Sequence, residues 1–298
     1  MNSEKSYAAE SAGNSSARFS PENVAKIGTV FKYVTVIFLI ITLMVPLVWM
    51  LSTAFKPLED AFAVPPKIIP EVATLDNFRA NLGNPSLVRY FINSLIVAAF
   101  SALIATFAGA CAAYGLSRFR FKGNEAVSLF FLSSMAFPIP LLMISMYIIY
   151  AKVHLLNSYI SVVLGHSVIT LPVAVWLLKG YFDTLPIEVE EAAHMDGSSP
   201  FRTLVTIVMP MAKPAMAAAT IFIFVVSWNE LMMALAFITT DARRTLPPGI
   251  TMNFLQEYES AWTEMMALSV IVALPILALF LFFQKTFMLG VTAGAVKE

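Results

Sequence analysis

The chain has 298 residues, of which 58% are apolar and 13% charged, and its formal net charge is zero. A soluble domain carries roughly a quarter charged residues, so most of this chain has to lie in lipid. The neutral balance removes any general electrostatic case for nucleic acid. The single cysteine, Cys111, excludes an internal disulfide and reads as a packing residue inside an apolar run.

Residues 1–30 are polar and rich in Ser and Ala. They lack the basic start, short apolar core and small-residue cleavage site of a secretory signal, and are expected to form a largely disordered tail that stays on the chain. A helix crosses a bilayer with about 20 apolar residues. Five runs, 33–55, 91–117, 126–151, 155–178 and 265–284, contain no Asp, Glu, Lys or Arg, and a sixth, 214–240, contains only Glu230. The expected fold is an all-α integral membrane protein, with a six-span helix bundle occupying residues 31–298. Run 155–178 is the most diluted, by Asn157, Ser158 and His166. Pro138, Pro140, Pro172 and Pro275 fall inside runs, where they free backbone carbonyls and permit kinks.

Six spans put both termini on one side. Taking that side as cytoplasmic gives it twelve of the 19 Lys and Arg residues. The short loop Arg118-Phe119-Arg120-Phe121-Lys122 is its firmest support, since short loops obey the positive-inside rule best. Residues 56–90 and 241–264 are then external excursions, and 179–213 is the one large internal loop.

That loop carries its own punctuation. Pro186 suits the first turn of a helix, and Glu188, Glu190 and Glu191 follow where the helix dipole favours acids. Gly197 can take the left-handed cap that ends the helix. Ser199 and Pro200 can then cap and open a second helix. Ala192 and Ala193 would give the first helix a low-relief face. By its residues alone this hairpin fits either an element that docks a soluble partner or an amphipathic hairpin lying on the headgroups. An interfacial helix normally carries Lys and Arg on its polar face, and the first helix has neither.

Other polar residues have more than one use. Glu230 is an acid inside an apolar run, which makes it a functional candidate. It also falls near the external interface, where an acid costs little and where Trp228 would anchor. Ser133, Ser134 and Tyr147 in the third run could line a wet pathway with Asn229 and Glu230, and serines at helix seams serve packing equally well. His154, His166 and His194 are too scattered for a metal site. There is no phosphate-binding Gly-x-x-x-x-Gly-Lys-Ser/Thr loop. No nucleophile and base can be argued into one place, so no catalytic residue is assigned.

The loop resembles the Glu-Ala-Ala segment of ABC-importer permeases. The family pattern is Glu-Ala-Ala, three residues, Gly, nine residues, Ile, one residue, Leu-Pro. Here it reads Glu191-Ala192-Ala193, Gly197, Ile207 and Met209-Pro210, with Met for Leu as the departure. The segments Ser52-Thr53-Ala54-Phe55-Lys56-Pro57, Asn93-Ser94, Ala113-Tyr114-Gly115-Leu116-Ser117-Arg118-Phe119 and Trp228-Asn229-Glu230 look like the carbohydrate-uptake branch. The tail Gly290-Val291-Thr292-Ala293-Gly294-Ala295-Val296-Lys297 is similar to the second permease of maltose-type importers.

The resemblance implies a subunit of the bacterial inner membrane working with a second permease, an ABC ATPase dimer and an external solute-binding protein, with lipid around it and a carbohydrate as cargo. ATP and Mg would belong to the ATPase subunit, with no cofactor in this chain. Glu188, Glu191, Ala192, Ala193, Asp196 and Gly197 would form a coupling helix seated in the ATPase. By position only, Asn253-Phe254-Leu255-Gln256-Glu257-Tyr258-Glu259 corresponds to a loop that enters the binding protein's cleft, and a plain solvated loop is the other description. Two rival classes are a stand-alone secondary carrier, whose coupling-ion site would have only Glu230 to build on, and a membrane-embedded enzyme, which needs a nucleophile–base pair.

Overall fold

The computed structural model describes residues 21–254 and 261–295. Helices account for the ordered structure, and among the described residues there is no strand. The chain forms two units, Met1–Leu51 and Ser52–Glu298.

Helix α1 runs Pro21–Ala54. Residues 21–30, expected in the polar tail, are therefore helical. Pro21 suits the first position, since its fixed φ fits a helix start and its missing N–H has no partner to lose. Residues 1–20 lie outside the described residues. At the end of α1, Thr53 and Ala54 are buried.

The second unit continues through α2 (Leu58–Ala61) and α3 (Asp76–Gly83) into α4 (Pro85–Arg118). Asn84 sets the start of α4: its Oδ1 accepts from the N–H of Ser86 at 3.0 Å and of Leu87 at 3.3 Å, and Pro85 occupies the first position. The expected run 91–117 lies wholly inside this helix.

The expected third span is not one straight helix. It divides into α5 (Asn124–Ser134) and α6 (Ile139–Lys152), bent by 100° at the break. Pro138 holds an extended backbone that no helix could share: its φ is −62° and its ψ 117°. The proline also disfavours helical backbone at Phe137 before it. Pro140 then sits in the opening turn of α6, where a missing N–H goes unnoticed.

Helix α7 (Tyr159–Phe182) begins at a Ser158 cap and carries Pro172 without breaking. The loop from Asp183 holds α8 (Glu188–Met195) and α9 (Pro200–Thr203). A π-helical turn (Leu204–Val208) and α10 (Met209–Met211) lead into α11 (Lys213–Trp228). The stretch Pro200–Met211 meets α11 at 87°.

The expected run 214–240 is likewise interrupted. Helix α11 stops at Trp228, and α12 (Met232–Phe237) starts afresh after Asn229–Leu231. A 3₁₀ turn (Asp241–Arg243), α13 (Leu246–Phe254) and α14 (Trp262–Ala295) complete the chain, with Pro275 inside α14. By length and composition α1, α4, α7 and α14 can each cross a membrane, and the two bent pairs raise the number to six if each counts as one span.

Helices α4, α7 and α11 form the centre, and α14 packs against α11 and α3. Close approach of α4 and α7 depends on small side chains. Ala98, Ala102, Ala105, Gly109 and Ala113 are all buried along one face of α4, the arrangement that drives association where lipid supplies no hydrophobic gain. At Gly109 a Cβ would lie 2.6 Å from the Ala174 Cβ.

Helix α13 folds back on α4, and a Cβ at Gly249 would sit 2.2 Å from the Tyr90 ring. Asn93 and Ser94 fix the approach to this helix. The Asn93 amide donates to the carbonyls of Ala242 at 3.1 Å and Arg244 at 2.7 Å, and Ser94 Oγ accepts from the Leu246 N–H at 2.7 Å. The Asn93-Ser94 pair thus satisfies backbone groups of the turn that leads into α13.

Candidate functional site

The 179–213 loop is built as its punctuation predicts at one end and differs at the other. Gly197 has φ of +81°. Its N–H donates to the His194 carbonyl at 3.0 Å, and the Ser198 N–H donates to the Ala193 carbonyl at 2.9 Å. These two bonds make a Schellman ending, which satisfies carbonyls that a helix terminus leaves open. Ser199 Oγ accepts from the Arg202 N–H at 3.3 Å, and Pro200 opens α9. At the start, Pro186 precedes α8 rather than opening it: Ile187 is the cap residue and Glu188 the first helical one. The Ile187 carbonyl already accepts the N–H groups of Glu190 and Glu191, both at 3.0 Å.

The faces of α8 divide unevenly. Glu188, Glu191, Ala192, His194 and Met195 are exposed, as are Asp196 and Gly197 beyond it, whereas Glu190 and Ala193 are buried. Ala193 therefore faces the chain itself and is no part of an outward low-relief surface. Of the two expected alanines only Ala192 is presented outward.

Sequence reasoning missed Glu190. Its carboxylate accepts from Arg118 Nε at 2.7 Å, with side-chain exposures of 5% for Glu190 and 11% for Arg118. Arg118 stands at the end of α4, and its Nη2 also donates to the carbonyls of Phe182 at 2.9 Å and Leu185 at 3.3 Å. Nη1 donates to Ser117 Oγ at 3.0 Å, and Ser117 Oγ donates to Asp183 Oδ1 at 2.5 Å. Lys179 Nζ closes the set on Asp183 Oδ2 at 2.7 Å. Partial burial acts to raise the Asp183 pKa, but the bonds from Lys179 and Ser117 outweigh it and hold the group below 3.8. With its folded pKa depressed, Asp183 contributes stability above its ordinary titration range and loses it as pH falls through the lowered value.

Glu230 is occupied with backbone. It accepts from the N–H groups of Met233 at 2.8 Å and Ala234 at 3.1 Å, and lies 3.0 Å from His166 Nε2. It thus caps α12 after the break that follows Trp228, and its side chain is 13% exposed. Asn229 donates to the Val225 carbonyl at 2.8 Å and is exposed. Ser133 and Tyr147 are exposed, and Ser134 is half-buried and donates to the Phe131 carbonyl at 2.7 Å. Among the described residues no hydrogen bond joins these three to Asn229 or Glu230. Asn253 and Phe254 end α13, and Leu255, Gln256, Glu257, Tyr258 and Glu259 lie outside the described residues. No group of three or more His, Cys, Asp or Glu side chains suited to a metal ion occurs among the described residues.

A capped helix held on a loop between membrane-length helices now has a family setting. Residues 105–291 match the family model described as the binding-protein-dependent transport system inner membrane component. The chain belongs to this family.

Its relatives align over nearly the whole chain. The inner membrane ABC transporter permease protein YcjP of Escherichia coli is 35% identical over 88% of this chain and 93% of its own. The trehalose/maltose transport system permease protein MalG of Thermococcus litoralis is 34% identical, over 85% of this chain and 91% of its own. The diacetylchitobiose uptake system permease protein DasC of Streptomyces coelicolor is 31% identical over 91% and 98%. The fold is similar to a chain in the crystal structure of a bacterial ABC transporter involved in import of the acidic polysaccharide alginate. The TM-score is 0.77, the identity 18%, and the match covers 90% of this chain and 99% of that one. At that identity the likeness speaks for the fold. The binding-protein-dependent permease is thus a multi-pass inner-membrane transport component, and a stand-alone carrier is set aside.

Proposed function

We propose that this permease forms half of the translocation pathway of an ATP-driven importer for a carbohydrate or a related polyol or glycoside, with a second permease as the other half. Helix α8 docks in a separate ABC ATPase dimer that holds ATP and Mg, and an external binding protein delivers the cargo. The chain itself carries no catalytic residue. Both termini and the 179–213 loop are cytoplasmic, and 253–259 faces the binding protein. The names of the trehalose/maltose and diacetylchitobiose permeases support the carbohydrate class.

One observation carries the docking role. Helix α8 ends in a backbone-built cap and presents Glu188, Glu191, Ala192 and Met195 outward, with Met195 88% exposed. An acid at the rim and a small residue beside it let a second protein approach closely, and the absence of Lys and Arg from α8 argues against a headgroup-bound hairpin. The test is Glu191→Lys with co-purification of the ATPase subunit. A charge-assisted contact is worth about 1.5–3 kcal/mol, so its reversal should weaken ATPase retention about tenfold or more while membrane insertion persists. Unchanged retention would return α8 to an interfacial hairpin.

A further inference from the structure

Little holds α8 to the rest of the chain. Its buried residues are Glu190 and Ala193. Ala193 offers a methyl group. Glu190 offers a carboxylate that is 5% exposed against a guanidinium that is 11% exposed, and the buried Tyr114 hydroxyl of α4 bonds the same carboxylate. The Glu190 carboxylate, held by two side chains of α4, is therefore the polar fastening of this helix, and Arg118 is the one of the two that also reaches the end of α7.

The guanidinium serves three elements at once. It belongs to the last residue of α4. Nε bonds Glu190 on α8 at 2.7 Å, and Nη2 bonds the carbonyls of Phe182 at 2.9 Å and Leu185 at 3.3 Å, where α7 ends. Nη1 takes Ser117 Oγ at 3.0 Å. A planar fork that meets partners in several directions fixes orientation as well as distance. A buried ion pair adds little net stability, because desolvation offsets attraction, yet parting its members is strongly resisted. Such a contact suits a stiff joint better than a source of folding energy.

We propose that Arg118 is a positioning residue of the transport cycle: through Glu190 it locks α8 to the ends of α4 and α7, so that displacement of α8 passes to both membrane helices as one rigid piece. The proposal rests on the assignment of α8 as the ATPase-docking helix. Exposed Glu191 meets the ATPase, and buried Glu190, its neighbour on the inward face, hands the movement on.

Spin labels test this in the full complex of both permeases, the ATPase and the binding protein, in a Cys111→Ser background. One label replaces Met195 on α8, which is 88% exposed, and the other replaces Leu103 on α4, which is 61% exposed. Their separation is measured without nucleotide and after trapping with ATP, Mg and vanadate. With Arg118 and Glu190 intact, the separation is narrow and the same in both states. Arg118→Lys keeps the charge, but a compact ammonium cannot hold Glu190 and two carbonyls in one plane, so the separation broadens and shifts between the states. Glu190→Gln keeps an acceptor for Nε and falls between the two. If Arg118→Lys does not assemble, Glu190→Gln decides alone. A narrow, state-independent separation in every assembled variant overturns the joint, as does a separation that already changes in the chain with both residues intact. Failure of the docking assignment is seen separately: a second pair, Met195 against a labelled ATPase subunit, then shows no proximity in any state, which overturns both.

Discussion

At Gly197 the backbone decides what the position tolerates. Its φ is +81°, and an added Cβ would meet nothing within 4 Å. A side chain there is penalised by conformation and not by crowding, at roughly 1–2 kcal/mol for a residue that resists the left-handed region. Gly197→Val should therefore lower the melting temperature of α8's attachment and the retention of ATPase, and Gly197→Asn, which tolerates that backbone, should do so less. Thermal melting and co-purification of the two variants check this; equal losses would mean that a partner surface, and not φ, excludes the side chain. Gly197 was legible because its conformation is a local demand, set by a helix that must end before Ser199 and Pro200. Glu190 was not. Its partner lies 72 positions away, and three acids in one helical turn look alike until the fold turns one of them inward. Glu230 was half legible: an acid in an apolar run signals a function, but its use as the cap of α12 needs the break at Asn229–Leu231 to be known.

Among the helices, the contact of α4 with α7 has the least room for change. A Cβ at Gly109 would lie 2.6 Å from the Ala174 Cβ and 3.3 Å from the Ala174 carbonyl carbon. Gly109→Ala should destabilise the purified chain by about 1–3 kcal/mol, the usual cost of overpacking. Adding Ala174→Gly removes the nearer clash but leaves the backbone contact, so rescue should be partial. Melting in detergent measures both variants, and full rescue would locate the whole cost in the two methyl groups. The apolar runs marked where the helices are, because charge is excluded from lipid whatever the packing. They could not mark internal breaks. Pro172 and Pro138 read the same in sequence, yet α7 absorbs Pro172, whereas Pro138 and Pro140 together end one helix and open the next. The difference is the pairing: two prolines two residues apart place both the pre-proline restriction and the helix opening in one short segment.

For the molecule as a whole, sidedness is the testable quantity. The proposed orientation puts the 56–90 segment outside and α8 inside. Single cysteines replacing Val72, which is 69% exposed, and Met195, which is 88% exposed, provide the assay in a Cys111→Ser background. A membrane-impermeant maleimide added to intact spheroplasts should label the first and spare the second, and both should label after lysis. The reversed pattern would overturn the orientation and the docking role with it. The charge-free runs marked the membrane-length helices, and the basic loop at Arg118 carries the proposed orientation. What the runs could not show is how the segments between them fold, because Asn93 and Ser94 reach partners about 150 positions away, at 149, 151 and 152 residues' separation.

The contact between Tyr90 and Gly249 reaches beyond this one chain. With a Cβ at position 249 falling 2.2 Å from the ring, the two sites share a single volume, and neither can change size independently. Across related permeases the pair should therefore covary, an aromatic residue at 90 accompanying glycine at 249 and a bulkier residue at 249 accompanying a small one at 90. The Tyr90 hydroxyl also donates to Asp241 Oδ1 at 2.6 Å, so lineages that lose the ring should lose the selective reason to keep an acid at 241 as well.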